Sequence, residues 1–166
     1  MAGTTTVRRA VKEDCPQILS LIKELAGYEK MTHMVTTTPK DLEEDGFGPD
    51  SFFKCFVAES CESGTKTLVG YVLYFYTYST FNGRAVYIED LFMKPSMRGK
   101  GLGLQLWKSV AKEAHEKRCV RLDFIVLSWN ESAIKFYRGL GAVNISERDD
   151  FQLYRLEEHA LANIAK

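Results

Sequence analysis

The run Arg98-Gly99-Lys100-Gly101-Leu102-Gly103 puts three glycines between an apolar stretch, "DLFMKP", and a helical one, "LQLWKSVAKEAHEK". Glycine is expensive in backbone entropy, so a turn this rich in it implies a use. Where a turn opens a helix, several backbone N–H groups point one way, backed by the partial positive charge of the helix dipole. With no side chains in the way, an anion's oxygens can reach those groups, and Arg98 adds a bidentate donor at the mouth. The chemistry this suits is a phosphate or pyrophosphate cradle. The alternative is a turn whose glycines only shape a tight strand-to-helix connection. The P-loop pattern G-x-x-x-x-G-K-[ST] is missing, and a G-x-G-x-x-G register begun at Gly99 meets Leu104 at its sixth position. Just upstream, Glu89 and Asp90 sit on the strand that leads into the turn. Consecutive strand residues point to opposite faces, so only one of the two is expected to face a reacting centre.

The elements that must hold these residues can be read from periodicity. Residues 7–10 read as a short strand; Asp14 and Pro16 open a helix whose Ile18, Leu21, Ile22 and Leu25 share a face. Residues 39–48 read as a short helix closed by Gly46 and Gly48. Strands are expected at 52–59, 67–80 and 84–94, with Asn82-Gly83 as the hairpin turn between the last two. After the glycines, Leu106, Trp107, Val110, Ala111 and Ala114 mark the clearest helix of the chain. A strand at 120–127, a short helix within 129–142, a final strand pair from "AVNIS" and "FQLYRL", and a terminal helix or fraying tail complete the order. The strands at 84–94 and 120–127 flank a helix, which predicts a parallel crossover. The fold class expected is α/β: a mixed, mostly antiparallel sheet with one parallel β-α-β crossover at the glycine turn, flanked by helices. Residues 1–166 are expected to form a single domain.

Bulk composition removes other classes. The 166 residues suffice for one well-buried core. Lys+Arg and Asp+Glu balance at 22 each, so no basic field for a nucleic-acid partner is expected. No apolar run approaches the roughly 20 residues needed to span a bilayer, and "MAGTTTVRR" has no signal-peptide core. Cys15, Cys55, Cys61 and Cys119 show no C-x-x-C spacing and only three histidines accompany them. That argues against a metal site and a disulfide framework, and for a cytoplasmic protein. The sequons at Asn130 and Asn144 read as chance matches.

Arg98, Gly101 and Gly103 match the [Q/R]-x-x-G-x-[G/A] motif, and the chain is identified on this pattern as resembling the GCN5-related N-acetyltransferase superfamily. The element order over nearly the whole chain agrees with it. "LIKELAGYEK", "DLEEDGFG", "YIEDLFMKPSMRGKGLG" and "WNESAIKFYRGLGA" resemble the spermidine/spermine N1-acetyltransferase, or diamine acetyltransferase, family. "YSTFNGR" and the "FYRGLGA" ending are nearer to its second, thialysine-acetylating branch.

This resemblance implies direct acetyl transfer from acetyl-CoA, as co-substrate and without a metal, to a primary amine: thialysine first, spermidine or spermine next. An alkyl ammonium has a pKa near 10.4, so baring its lone pair at pH 7 costs roughly 4.6 kcal/mol. A carboxylate can hold the ammonium and take its proton, and the resemblance assigns that role to Glu89. Asp90 is left as a structural or substrate-side carboxylate. The resemblance makes Tyr137, seven residues after Asn130, the acid for the leaving thiolate. It places the pantetheine along Leu91, Phe92 and Met93 and the pyrophosphate at Arg98, Gly99, Lys100, Gly101, Leu102, Gly103 and Leu104. Further cofactor contacts are expected at Asn130, Glu131, Ser132 and Ala133, with Asn130 contacting pantetheine or capping its helix. Substrate contacts are expected at Tyr28, Glu29, Asp123, Phe124, Ile125 and Asp149. The acidic run Asp41, Glu43, Glu44 and Asp45 reads as a solvated face. Relatives imply a homodimer with a small-amine substrate; the lack of a long apolar run is the reason no membrane partner is expected. The rival readings are a protein lysine or N-terminal acetyltransferase, and a catalytically silent CoA-binding module.

Overall fold

The structure is a computed structural model and describes residues 4–166. Met1, Ala2 and Gly3, which open the segment read as lacking a signal peptide, lie outside the described residues. The chain divides into two compact units, the second running from Val126 to Lys166.

In the first unit five strands lie side by side in sequence order: β1 (Thr4–Arg9), β2 (Lys54–Glu62), β3 (Thr65–Ser79), β4 (Gly83–Met93) and β5 (Arg121–Phe124). The first three pairings are antiparallel and β4–β5 is parallel, so the sheet is mixed as expected. The β2–β3 turn is tighter than its sequence suggested, with Ser63 and Gly64 both left-handed at φ 50° and 83°.

Three helices cover the sheet. α1 (Cys15–Tyr28) and α2 (Pro39–Phe47) bring Cys15, Ile18, Leu21 and Leu42 onto Val57, Tyr71, Leu73 and Phe92. α2 starts in a capping box, in which the Thr38 hydroxyl accepts from Asp41 N and the Asp41 carboxylate accepts from Thr38 N. The other face packs α3 (Leu102–Glu116), through Leu102, Leu106, Val110 and Ala114, onto Val72, Tyr74, Val86 and Ile88. Much of the acidic run is consumed locally: Asp41 in that capping box, Glu43 with Lys12 and Glu44 with Lys40.

The second unit carries α4 (Glu131–Gly139), α5 (Ile145–Asp149) and α6 (Glu158–Ile164). Two expectations fail here. The final strand pair is not formed: Asn144 accepts from Ser146 N and starts α5 where a strand was expected. Residues 151–156 are irregular, and the apolar alternation that suggested a strand ends in exposed side chains, Leu153 at 75% and Tyr154 at 84%. The strand expected at 120–127 stops at Phe124, because its ladder lasts only as far as β4 runs beside it, from Ala85 to Ile88.

Candidate active site

Beyond Ile88, β4 continues to Met93 with no strand beside it on the β5 side among the described residues. The stretch 89–93 therefore leaves part of its backbone unladdered at the end of the parallel pair. This is where Leu91, Phe92 and Met93 were expected to meet an extended ligand, since backbone at an open edge can pair as a strand does. The Met93 carbonyl already accepts from Arg98 Nε at 3.0 Å.

The glycine turn follows directly. Gly99 and Gly101 are both left-handed, at φ 74° and 77°, a conformation L side chains resist. Gly101 is the N-cap of α3 and supplies no side-chain acceptor. Gln105 N is bonded to Gly101 O at 3.0 Å, so the N–H groups of Leu102, Gly103 and Leu104 lie ahead of the helical ladder. An uncapped helix start next to an open strand edge fits a ligand with an extended amide-bearing arm and a phosphate. Arg98 is exposed, and its guanidinium stands 5.5 Å from the Tyr28 ring centroid and 5.8 Å from that of Phe92. Lys100 is exposed and reaches Met97 Sδ at 3.5 Å.

The two carboxylates of β4 correct one expectation. Leu73 lies opposite Asp90 and Tyr74 opposite Ile88, so Glu89 is the extra residue of a β-bulge. Val86 and Ile88 face α3, and so do Leu91 and Met93. Three steps separate Ile88 from Leu91, so alternation puts Glu89 and Asp90 on the same side, opposite α3. Opposite faces were expected for the pair, and the bulge cancels that. Glu89 is exposed, while Asp90 is half-buried and accepts from the hydroxyl of fully buried Tyr71 at 2.8 Å.

Burial pushes the Asp90 carboxyl above the ordinary carboxylate range, against the Tyr71 hydrogen bond that lowers it. Burial and the nearby Asp90 charge also raise Glu29, at the end of α1. The structure thus brings Tyr28, Glu29, Asp90, Phe92 and Arg98 to one neighbourhood. On β5, Asp123 lies opposite Tyr87 and pairs with Arg121 Nε at 2.8 Å. Phe124 packs edge-on against Trp107 of α3 at 5.2 Å, on the other face of the sheet. Ile125 follows as an exposed residue.

In the second unit, Asn130 Oδ1 accepts from Ala133 N at 3.3 Å and caps α4, whose first turn holds Glu131, Ser132 and Ala133. Tyr137 is partly buried on the same helix, beside Phe136 at 5.3 Å. Asp149 is exposed and paired with Arg148 Nε at 2.7 Å.

Two features escaped the sequence reading. One is the Tyr71–Asp90 bond, whose only outward sign was the Glu-Asp doublet. The other is buried Glu113 on α3, which accepts from Tyr74, Tyr76, Arg9 and Lys54; against burial, which raises it, the bonds from Tyr76, Tyr74 and Arg9 hold its pKa down to about 2. Among the described residues, no group of three or more His, Cys, Asp or Glu side chains could hold a metal ion, and no helix is long and apolar enough to cross a membrane.

Comparison with known proteins adds to this geometry. The acetyltransferase (GNAT) family profile matches residues 16–142. A thialysine N-epsilon-acetyltransferase from Mus musculus is 40% identical, over 98% of both chains. An L-ornithine N5-acetyltransferase from Arabidopsis thaliana is 36% identical over 96% of this chain and 87% of its own. Among solved structures, an integron cassette protein from the mobile metagenome of V. cholerae superposes with a TM-score of 0.75 at 30% identity, over 98% of each chain.

Proposed function

The chain belongs to the acetyltransferase (GNAT) family and is an N-acetyltransferase, and from that premise we propose that it acetylates the terminal amine of a short, lysine-like substrate, thialysine first. The observation that carries the amine class is the 40% identity to the mouse thialysine enzyme over nearly all of both chains. The ornithine-acetylating relative supports the same class, since both named substrates are amino acids with an amine on a short arm.

In this reading the acetyl donor, acetyl-CoA, lies along the open β4 edge at Leu91, Phe92 and Met93. Its pyrophosphate is held by the N–H groups from Gly99 to Leu104, with Asn130 to Ala133 contributing further contacts. Glu89, exposed at the bulge, takes a proton from the substrate ammonium. The freed lone pair attacks the thioester carbonyl, the C–S bond breaks, the thiolate leaves with a proton that we assign to Tyr137, and the second proton shed by the nitrogen as the amide forms returns to Tyr137. A carboxylate suits the first step because it both attracts the ammonium and accepts its proton. Tyr28, Glu29, Asp123, Ile125 and Asp149 are proposed on the amine side; the Phe124 side chain, packed against Trp107 on the other face, is not. The Asp149–Arg148 pair weakens any claim of that residue on a long polycation, which favours a short substrate over spermidine or spermine.

We further propose that residues 1–166 work as one catalytic domain and that the protein is a cytoplasmic homodimer without nucleic-acid or membrane partners. Four unpaired thiols support a reducing compartment. Phe81 at 92% and Tyr78 at 75% exposure on the β3–β4 hairpin support a protein contact.

The test is acetyl-CoA-dependent thiol release across thialysine, ornithine, lysine, spermidine, spermine and a lysine peptide. The highest kcat/KM is expected for thialysine. Preference for the peptide would move the assignment to protein acetylation, and binding of acetyl-CoA without turnover on any amine would reduce the protein to a binding module.

A further inference from the structure

The bulge at Glu89 needs something to hold it. A β-bulge is a register choice, and a one-residue slip would carry every later side chain of β4 to the wrong face. Apolar packing on the α3 side restrains Ile88 and Leu91 on either flank. On the other side, Asp90 accepts from the Tyr71 hydroxyl among the described residues. Tyr71 is fully buried, its ring 6.5 Å from that of Phe92, and it lies two positions along β3 from Leu73, the residue opposite Asp90. The bond is therefore a diagonal cross-strand tie on the Met93 side of the bulge, and it pins Asp90, the residue next to Glu89, to β3. Holding a half-buried carboxylate with a neutral hydroxyl costs desolvation that a purely structural pair would not need, which points to a use for the position it fixes.

We propose that Tyr71 and Asp90 are positioning residues: their hydrogen bond locks the bulge and so sets the direction in which Glu89 leaves the strand. The proposal rests on the reading of Glu89 as the base. Neither residue touches the reacting atoms. The lock acts through backbone geometry, so what it requires of residue 90 is an acceptor for Tyr71 and not a charge.

The experiment compares Tyr71→Phe, Asp90→Ala, Asp90→Asn and Glu89→Gln in the full chain, with kcat, the KM for acetyl-CoA and thermal melting read for each. Tyr71→Phe and Asp90→Ala are expected to lower kcat about ten- to a hundredfold while the KM for acetyl-CoA holds, since small misplacements of a reacting group carry losses of that order. Asp90→Asn, which still accepts from Tyr71, is expected to restore most of the rate. Wild-type kcat in both Tyr71→Phe and Asp90→Ala overturns the proposal. So does an Asp90→Asn loss as deep as that of Asp90→Ala, which would make charge the operative property. Should Tyr71→Phe fail to fold, the Asn–Ala comparison at position 90 decides by itself. Full turnover by Glu89→Gln would instead overturn the base assignment, and that result is separable because it leaves the order among the other three variants readable.

Discussion

The Tyr74 hydroxyl, on a fully buried residue in the middle of β3, donates to Glu113 Oε2 on α3 at 2.9 Å. The helix that begins at the glycine turn is thus anchored three turns later to the centre of the sheet. Tyr76, Arg9 and Lys54 donate to the same carboxylate, so strands β1, β2 and β3 all converge on one helical residue.

Glu113→Gln should destabilise the fold by about 2 kcal/mol at pH 7, the range for hydrogen bonds to a charged group, since Arg9 and Lys54 stay partly in solvent. The folded-state pKa is depressed to about 2 from an ordinary 4.5. The carboxylate's contribution is therefore complete above pH 4.5 and is lost as pH falls toward 2. Urea unfolding of both proteins at pH 7 and at pH 3 checks this: the gap between them should narrow at the lower pH.

Asp90→Asn should have the opposite sign. The Asp90 pKa is raised by burial, so the folded state holds its proton more tightly than the unfolded chain does. Stability then declines as pH rises through the carboxylate range, and the ionised group is a net burden at pH 7. The Asn variant should melt roughly 2–4 °C higher at pH 7, a shift worth about 1 kcal/mol in a chain of this size. The advantage should disappear in acid, where Asp90 itself is neutral.

Gly101→Ala places a side chain at φ 77°, which should lower stability by about 1–2 kcal/mol. The KM for acetyl-CoA should rise while the KM for the amine is unchanged. Lost stability with an unaltered KM for acetyl-CoA would make the glycines purely structural, the alternative their sequence leaves open.

Tyr137→Phe keeps the ring and removes the proposed proton donor. A kcat loss of about a hundredfold, typical for a general acid, is expected, with melting temperature and the KM for acetyl-CoA preserved. Steady-state kinetics with thialysine beside a thermal melt tests both halves.

Much of the architecture was legible because its signals are local. The glycine turn, the Asn-Gly hairpin and the α3 stripe each announce themselves within a few residues, and the parallel crossover follows from their order. The bulge was not legible, because strand alternation assumes an unbroken ladder and the extra residue is defined only by its neighbour β3. Tyr71 stood within the strand expected at 67–80, and no local spacing couples it to residue 90. Glu113 is not among the apolar residues that mark α3, and its four donors come from strands 37 to 104 residues away in sequence. The last two strands were overread because alternation around Phe151 to Leu156 signals a half-buried face, and those residues are exposed.

The stretch of β4 that outruns β5 carries a consequence for handling the protein. An unladdered strand edge is a template on which any extended chain can add itself, including one from another molecule. A ligand laid along residues 89–93 would occupy the same groups, so acetyl-CoA bound as proposed would double as an edge cover. Protein stripped of it should aggregate sooner on storage than the loaded form, at temperatures far below unfolding.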